Sequence, residues 1–201
     1  MHQNMFDIFL IDDDDNFCQM LKMFLISKGL SCKSFTNPIK ALESIVPKKI
    51  GCVITDYKMP FMDGDELTRK IKKIDSLLPV IFITGKGSVS MAVKSIKAGG
   101  ITIFEKPFSN EKLYSVIMEC LSVNELEREN RSRLADMLSN IEKLTPQEKN
   151  ILKLLALGLS NKEIGLRLDI SYRTVEVHRS HIMAKLQAKS LADLVRISDK
   201  I

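Results

Sequence analysis

Five short apolar runs are strung along the first 105 residues, and a helix-like segment follows each of them. The runs are Met5–Ile11, residues 30–35, Cys52–Thr55, Pro79–Thr84 and Ile101–Phe104. Continuous apolar runs of this length suit strands buried on both faces of a parallel sheet. After the first run, Phe17, Met20, Leu21, Phe24 and Leu25 recur at helical spacing, and Gly29 suits the stop. Asn37-Pro38 marks the start of a second helix that should bury Ala41, Leu42, Ile45 and Val46. Ser88 and Ser109 mark the fourth and fifth helix starts. Five strand–helix alternations specify an α/β domain with a doubly wound, five-stranded parallel sheet.

The strand ends carry chemistry. The first delivers Asp12 and Asp13, the third Asp56, the fourth Thr84 and the fifth Lys106. In a parallel sheet these carboxyl ends share one edge, and ligands bind in the crevice outside it. Three carboxylates gathered there repel one another, and each desolvated charge is costly. A divalent cation resolves the conflict, and an oxygen-only donor set suits Mg2+, which keeps several waters. Lys106 is a point charge for a phosphate oxygen, and Thr84 is a short hydroxyl donor. These are the parts of a phosphoryl-transfer site, where a protein mainly positions groups and neutralises charge. Asp56 is then the nucleophile, forming an aspartyl phosphate. Asp14 and Asp15 read as helix-start acids favoured by the dipole. Gly85-Lys86-Gly87-Ser88 lacks the glycine five residues earlier that a phosphate loop needs, so it is rejected as one.

On Asp12-Asp13, Asp56, Thr84 and Lys106-Pro107, with the intervals between them, residues 5–121 resemble the receiver domain of two-component response regulators. The resemblance implies a flavodoxin-like fold and phosphorylation of Asp56 by a histidine kinase. It implies that Asp13 and Asp56 ligate Mg2+, that Asp12 helps through water, and that the Lys58 carbonyl is a further ligand. Thr84 would swing toward the phosphoryl group on activation, and Lys106-Pro107 would be a cis peptide. One position departs from the family. An aromatic commonly stands three residues before the lysine, as a switch coupled to the threonine; here that position is Ile103. Phe104 follows it, and strand alternation turns Phe104 to the opposite face of the sheet.

From Ser109 to about Glu142 there is no proline or glycine. Leu113, Val116, Ile117, Cys120 and Leu121 make an apolar stripe, residues 124–133 are nearly all polar, and Leu134, Met137, Leu138 and Ile141 resume an apolar face. This reads as one long helix, or two with a fray near 122–132. It is either a solvated spacer or a helix that pairs with its twin in a dimer. The heptad pattern is too short and broken for a stable coiled coil on its own.

Beyond it, Thr145-Pro146-Gln147-Glu148 and Ser160-Asn161-Lys162-Glu163 are capping boxes, and Ser171 and Ser190 begin further helices. Helices are expected over 146–157, 161–168, 172–187 and 191–198. The turn Leu168-Asp169-Ile170-Ser171 is as short as in a helix-turn-helix. On the third of these helices Val175, Ile182 and Leu186 form a core face. Arg173, Glu176, Val177, Ser180 and Ala184 form a second face that suits a major groove, or else plain solvent. His178 and His181 lack a third ligand nearby, so a metal site is not expected there.

Residues 144–198 resemble the LuxR-type helix-turn-helix, on Leu144-Thr145-Pro146-Gln147-Glu148, on Gly158 to Ile164, on Ile170 to Arg179 and on Ile182 to Ser190. The resemblance implies that Glu176, Val177 and Ser180 face bases. It implies that Lys162, Arg173, Thr174, His178, Arg179 and Lys185 mainly touch phosphates. The domain order resembles response regulators of the NarL/FixJ type: a receiver over 1–121, a helical linker over 122–143 and an all-α, four-helix DNA-binding domain over 144–201.

Charge agrees with that division. Residues 144–201 carry 10 Lys and Arg against 6 Asp and Glu, or +4 of the chain's net +5. Cys18, Cys32, Cys52 and Cys120 sit in apolar stretches without metal spacing, so free thiols in a reducing compartment are expected. No apolar run approaches membrane length, and the N-terminus lacks a signal-peptide pattern, which points to the cytoplasm and to no membrane. The expected function is a phosphorylation-dependent transcription regulator rather than an enzyme. Its expected partners are a sensor histidine kinase, double-stranded DNA and, when phosphorylated, a second copy of itself. Two rivals remain at this level. One is a receiver that takes no phosphate and serves as a dimerisation or protein-binding module, which Ile103 keeps open. The other is a Mg2+-dependent phosphohydrolase, which Asp12-x-Asp14 permits but Asn16 disfavours.

Overall fold

The computed structural model describes residues 7–47, 49–85 and 89–198. The chain divides into two compact units, Met1–Glu129 and Asn130–Ile201.

The first unit alternates strand and helix: β1 (Asp7–Ile11), α1 (Asp15–Ser27), β2 (Ser31–Phe35), α2 (Pro38–Ser44), β3 (Gly51–Asp56), α3 (Gly64–Ile74), β4 (Val80–Thr84), α4 (Val89–Lys97), β5 (Thr102–Glu105) and the start of α5 (Asn110–Glu142). The strands form one parallel sheet in the order β2-β1-β3-β4-β5. Successive strand residues face opposite sides, so two cores form. Ile8, Leu10, Ile54 and Ile83 meet Leu21 and Leu25 of α1 and Leu113 and Ile117 of α5. Phe9, Ile11, Val53 and Phe82 meet Ala41 of α2 and Leu67 and Ile71 of α3. Burial on both faces is why these strands read as continuous apolar runs.

The helix starts follow the caps read from the sequence. Asn37 accepts from the Ile39 N–H at 2.9 Å, and Asp14 caps α1 by accepting from the Phe17 N–H at 3.1 Å. Two expectations, a strand start at Met5 and a cap at Ser88, lie outside the described residues. One differs from the structure. Helix α2 ends at Ser44, Ile45 is already extended with ψ 117°, and Val46 is exposed rather than buried. Pro47 explains this, because its ring disfavours helical geometry in the residue before it.

Helix α5 runs unbroken from Asn110 to Glu142, and its polar stretch is not all solvated. Asn124 is 2% exposed, donates to the Leu77 carbonyl at 2.6 Å and accepts from the Gly51 N–H at 3.4 Å. Arg128 donates to Asn124 at 3.0 Å and pairs with Asp75 at 2.7 Å. These bonds fasten the helix onto the start of β3 and the α3–β4 loop.

The second unit holds α6 (Pro146–Ala156), α7 (Asn161–Leu168), α8 (Tyr172–Leu186) and α9 (Leu191–Ser198) around Ile151, Leu152, Ile164, Val175, Ile182 and Leu194. Both capping boxes are made. In the α7–α8 turn Asp169 takes φ 55°, and a Cβ on Gly165 would meet the Ile170 carbonyl at 2.7 Å. Only glycine lets the turn fold back so closely on α7. Among the described residues no helix is long and apolar enough to cross a membrane.

Candidate functional site

Parallel pairing brings the carboxyl ends of β1, β3, β4 and β5 to one edge of the sheet. Asp12 follows β1 and is 2% exposed, with its N–H donated to the Phe35 carbonyl at 3.1 Å. Asp56 ends β3, Thr84 ends β4 and is buried, and Lys106 follows β5 with its N–H donated to the Thr84 carbonyl at 2.8 Å. The Lys106 ammonium donates to Asp12 Oδ2 at 2.7 Å and stands 3.5 Å from Asp56 Oδ1. It also lies 3.9 Å from the centre of the Phe17 ring. The Lys106-Pro107 peptide is cis. Asp13 is exposed beside Asp12, and Asp14 is occupied in capping α1.

Asp56 is held at its other oxygen, which accepts the Lys58 N–H at 2.8 Å. Burial pushes its carboxyl above the usual aspartate range; the Lys58 hydrogen bond opposes this, and the Asp12 charge adds to it. For Lys106, burial pulls the ammonium down, but the bond to Asp12 and the charge of Asp56 outweigh it, and the net direction is up. A carboxyl raised on folding favours the folded state below its unfolded pKa of about 3.9, and that contribution is lost as pH rises through the folded value. At neutral pH the ionised Asp56 therefore costs stability. Asp56→Asn keeps an acceptor for the Lys58 N–H and removes the charge. We expect this variant to melt above the wild type at pH 8, with the gap closing by pH 4, as read by thermal unfolding across pH.

Asp12, Asp13, Asp56 and Thr84 offer oxygen donors at this edge. Among the described residues no three acidic, histidine or cysteine side chains close into a metal cage. A metal here would take few protein ligands and many waters, which fits Mg2+. The Asp12 and Asp56 carboxylates, close enough for one ammonium to reach both, suit that role.

Ile103 and Phe104 lie on opposite faces of the sheet. Ile103 is half-buried against the Phe82 side, and Phe104 is buried on the other, in edge contact with Phe108 at 5.7 Å. Two features of the loop after Asp56 escaped the sequence reading. Phe61 takes φ 72° and is 81% exposed, a left-handed conformation rare for a bulky residue. A phenylalanine carries no signal of that geometry, as a glycine would. The other is the hydroxyl of Tyr57, whose pKa is pushed up to about 12 by burial and by its hydrogen bond to Asp65.

In the second unit, α8 buries Val175, Ile182 and Leu186 and leaves Arg173, Thr174, Glu176, Val177 and Ser180 exposed on the rest of its surface. Val177 is 53% exposed, an apolar patch suited to a thymine methyl. Arg173 lies over the Tyr172 ring, and Thr174 Oγ1 is 2.8 Å from Ser171 Oγ within the helix cap. Lys162 is exposed on α7, while His178 and Arg179 are half-buried. Lys185 has a protein partner: its ammonium binds both oxygens of the buried Glu148 at 2.9 and 2.7 Å. The sequence signal for this was the capping box, which shows Glu148 turned inward but not what meets it.

Comparisons with known proteins fall on both units. The pattern of the family described as response regulator receiver domain matches residues 8–118. That of the bacterial regulatory proteins, luxR family, matches residues 142–198. The response regulator protein TodT of Pseudomonas putida is 38% identical over 194 residues, covering 96% of this chain and 86% of its own. The transcriptional regulatory protein FixJ of Bradyrhizobium diazoefficiens is 35% identical, covering 95% and 93%. Among solved structures, the response regulator StyR superposes with a TM-score of 0.89 at 35% identity over 98% of this chain and 99% of its own. Full-length FixJ from B. japonicum gives 0.58 at 34% identity over 96% of each.

Proposed function

The chain belongs to the two-component response regulators that join a receiver domain to a LuxR-type DNA-binding domain, and we propose that Asp56 is its phosphoryl acceptor. The observation that carries this is the Lys106 ammonium set between Asp12 and Asp56 at the carboxyl edge of the sheet, at 2.7 and 3.5 Å. The donor is a phosphohistidine of a sensor kinase. Asp56 attacks phosphorus, a P–O bond forms, and the bond to the imidazole nitrogen breaks. The Lys58 N–H keeps one carboxylate oxygen fixed while the other reacts. Lys106 then moves from its carboxylate pair to a phosphoryl oxygen, and Thr84 turns its hydroxyl toward the same group. Asp13, Asp56 and the Lys58 carbonyl would hold Mg2+, with Asp12 helping through water, and the ion would neutralise the phosphoryl oxygens when bound. The chemistry is a single acceptance, not turnover of phosphate esters.

The added charge promotes pairing of two chains, so that two output domains share one DNA site with two half-sites. The working compartment is the cytoplasm. The working boundaries are a receiver over 1–121, a linker over 122–143 and a DNA-binding domain over 144–201. Glu176, Val177 and Ser180 face bases, and Lys162, Arg173, Thr174, His178 and Arg179 contact phosphates. Lys185 joins them only by leaving Glu148.

The test is intact mass after treatment with an acyl phosphate and Mg2+, with light scattering on the same sample. The wild type should gain one phosphoryl group and shift from monomer to dimer, and Asp56→Asn should do neither. No uptake by the wild type would overturn the reading and favour a phosphorylation-independent module. For the output domain, Arg173→Ala should weaken binding to all DNA sequences and reduce the salt slope by about one. A change in base preference alone would move Arg173 to the base-reading set.

A further inference from the structure

Tyr57 follows the acceptor directly, and two elements, β4 and α3, hold it. Its N–H donates to the Ile83 carbonyl of β4 and its carbonyl accepts from the Gly64 N–H, both at 2.9 Å. Its ring lies 6.0 Å from that of Phe82, tilted by 55°. Its hydroxyl donates to Asp65 Oδ2 at 2.8 Å, and Ser95 of α4 donates to Asp65 Oδ1 at 3.2 Å. Asp65 is 6% exposed and Ser95 is fully buried. Among the described residues no cation stands within ion-pair distance of Asp65.

A buried carboxylate without a cation is a costly way to hold a fold together. The first turn of α3 offsets part of that cost through the helix dipole. The arrangement gains something else: one acceptor joins the hydroxyl of the residue that follows Asp56 to a hydroxyl on α4.

We propose that the Tyr57–Asp65–Ser95 bridge carries the state of Asp56 to α4, with Tyr57 and Ser95 as positioning residues. This rests on Asp56 being the phosphoryl acceptor. When the loop after Asp56 shifts around a phosphoryl group, the Tyr57 hydroxyl moves with it. Asp65 then re-aims toward or away from Ser95, and α4 changes its hold on the sheet.

The test is hydrogen exchange on the full chain with and without Mg2+ plus beryllofluoride, a phosphoryl mimic, read in peptides covering 57–64 and 92–99. In the wild type both peptides should respond, and in Asp56→Asn neither. In Tyr57→Phe, which keeps the ring on Phe82, and in Ser95→Ala, the 57–64 response should persist. The 92–99 response should fall about fivefold, the scale of one hydrogen bond's net contribution. Ser95→Thr, which keeps a hydroxyl, should restore it. Full 92–99 responses in both hydroxyl-deletion variants would overturn the bridge, as would a wild type whose 92–99 amides ignore the mimic while 57–64 responds. No response at 57–64 in the wild type would overturn the acceptor reading, and the bridge with it.

Discussion

Arg128→Ala should destabilise the receiver unit by about 3 kcal/mol, the usual cost of removing one partner from a buried ion pair. The Arg128 and Asp75 side chains are 12% and 7% exposed, so neither charge is well served by water. Losing the guanidinium strips Asp75 of a partner at 2.7 Å and removes the donor that reaches Asn124. Asn124 in turn holds the Leu77 carbonyl and the Gly51 N–H, so the loss propagates to the start of β3. Denaturant unfolding of the full chain measures the cost, and hydrogen exchange over 120–130 should show the helix opening first there. Asp75→Asn keeps the acceptor for the Leu77 N–H, at 3.1 Å in the native chain. In a double-mutant cycle the two costs should fall short of additivity by on the order of 2 kcal/mol. Full additivity would mean that Arg128 stabilises by packing rather than by its pair.

Glu148→Ala should be the most damaging polar substitution in the DNA-binding unit, at about 3 kcal/mol. Glu148 is 3% exposed and closes the α6 capping box by accepting the Thr145 N–H at 2.7 Å. The same carboxylate takes both bonds from Lys185 of α8. One side chain thus caps one helix and ties it to the end of another. Burial raises the Glu148 carboxyl, but the Lys185 and Thr145 bonds outweigh it and hold the group below the usual glutamate range. A carboxyl lowered on folding contributes stability above its unfolded pKa of about 4.3, and that contribution is lost as pH falls through the folded value. The gap between wild type and Glu148→Gln should therefore be full at pH 7 and shrink below about pH 4. A gap independent of pH would assign the effect to shape alone. If Lys185 served DNA and its pair with Glu148 stabilised nothing, Lys185→Met would cost DNA affinity without costing stability. We expect it to cost stability first.

Much of this was legible along the chain. The five strand runs, the helical stripes and the caps at Asn37, Thr145, Ser160 and Ser171 all appear where periodicity and capping chemistry put them. So does the gathering of Asp12, Asp56, Thr84 and Lys106, because parallel strands leave their carboxyl ends on one edge whatever else happens. The end of α2 at Ser44 was missed although its cause was in the sequence, since the apolar period was followed to Val46, the residue that Pro47 bars from helical geometry.

Covalent geometry repeats along the chain, so patterns with a period of two or 3.6 reveal which residues share a face, and a cap reveals itself within four positions. The partner of a polar side chain has no such period. Asn124 and Arg128 look solvated in their own neighbourhood, yet they bond to Leu77 and Asp75, 47 and 53 positions away. Lys185 looks like a phosphate contact until Glu148, 37 positions earlier, is set against it. Tyr57, Asp65 and Ser95 meet only because α4 packs against α3 beside the end of β3. Fold class and the gathering at the carboxyl edge thus come from local repetition. The anchors and the bridge come from which donors and acceptors the packed elements leave to be satisfied.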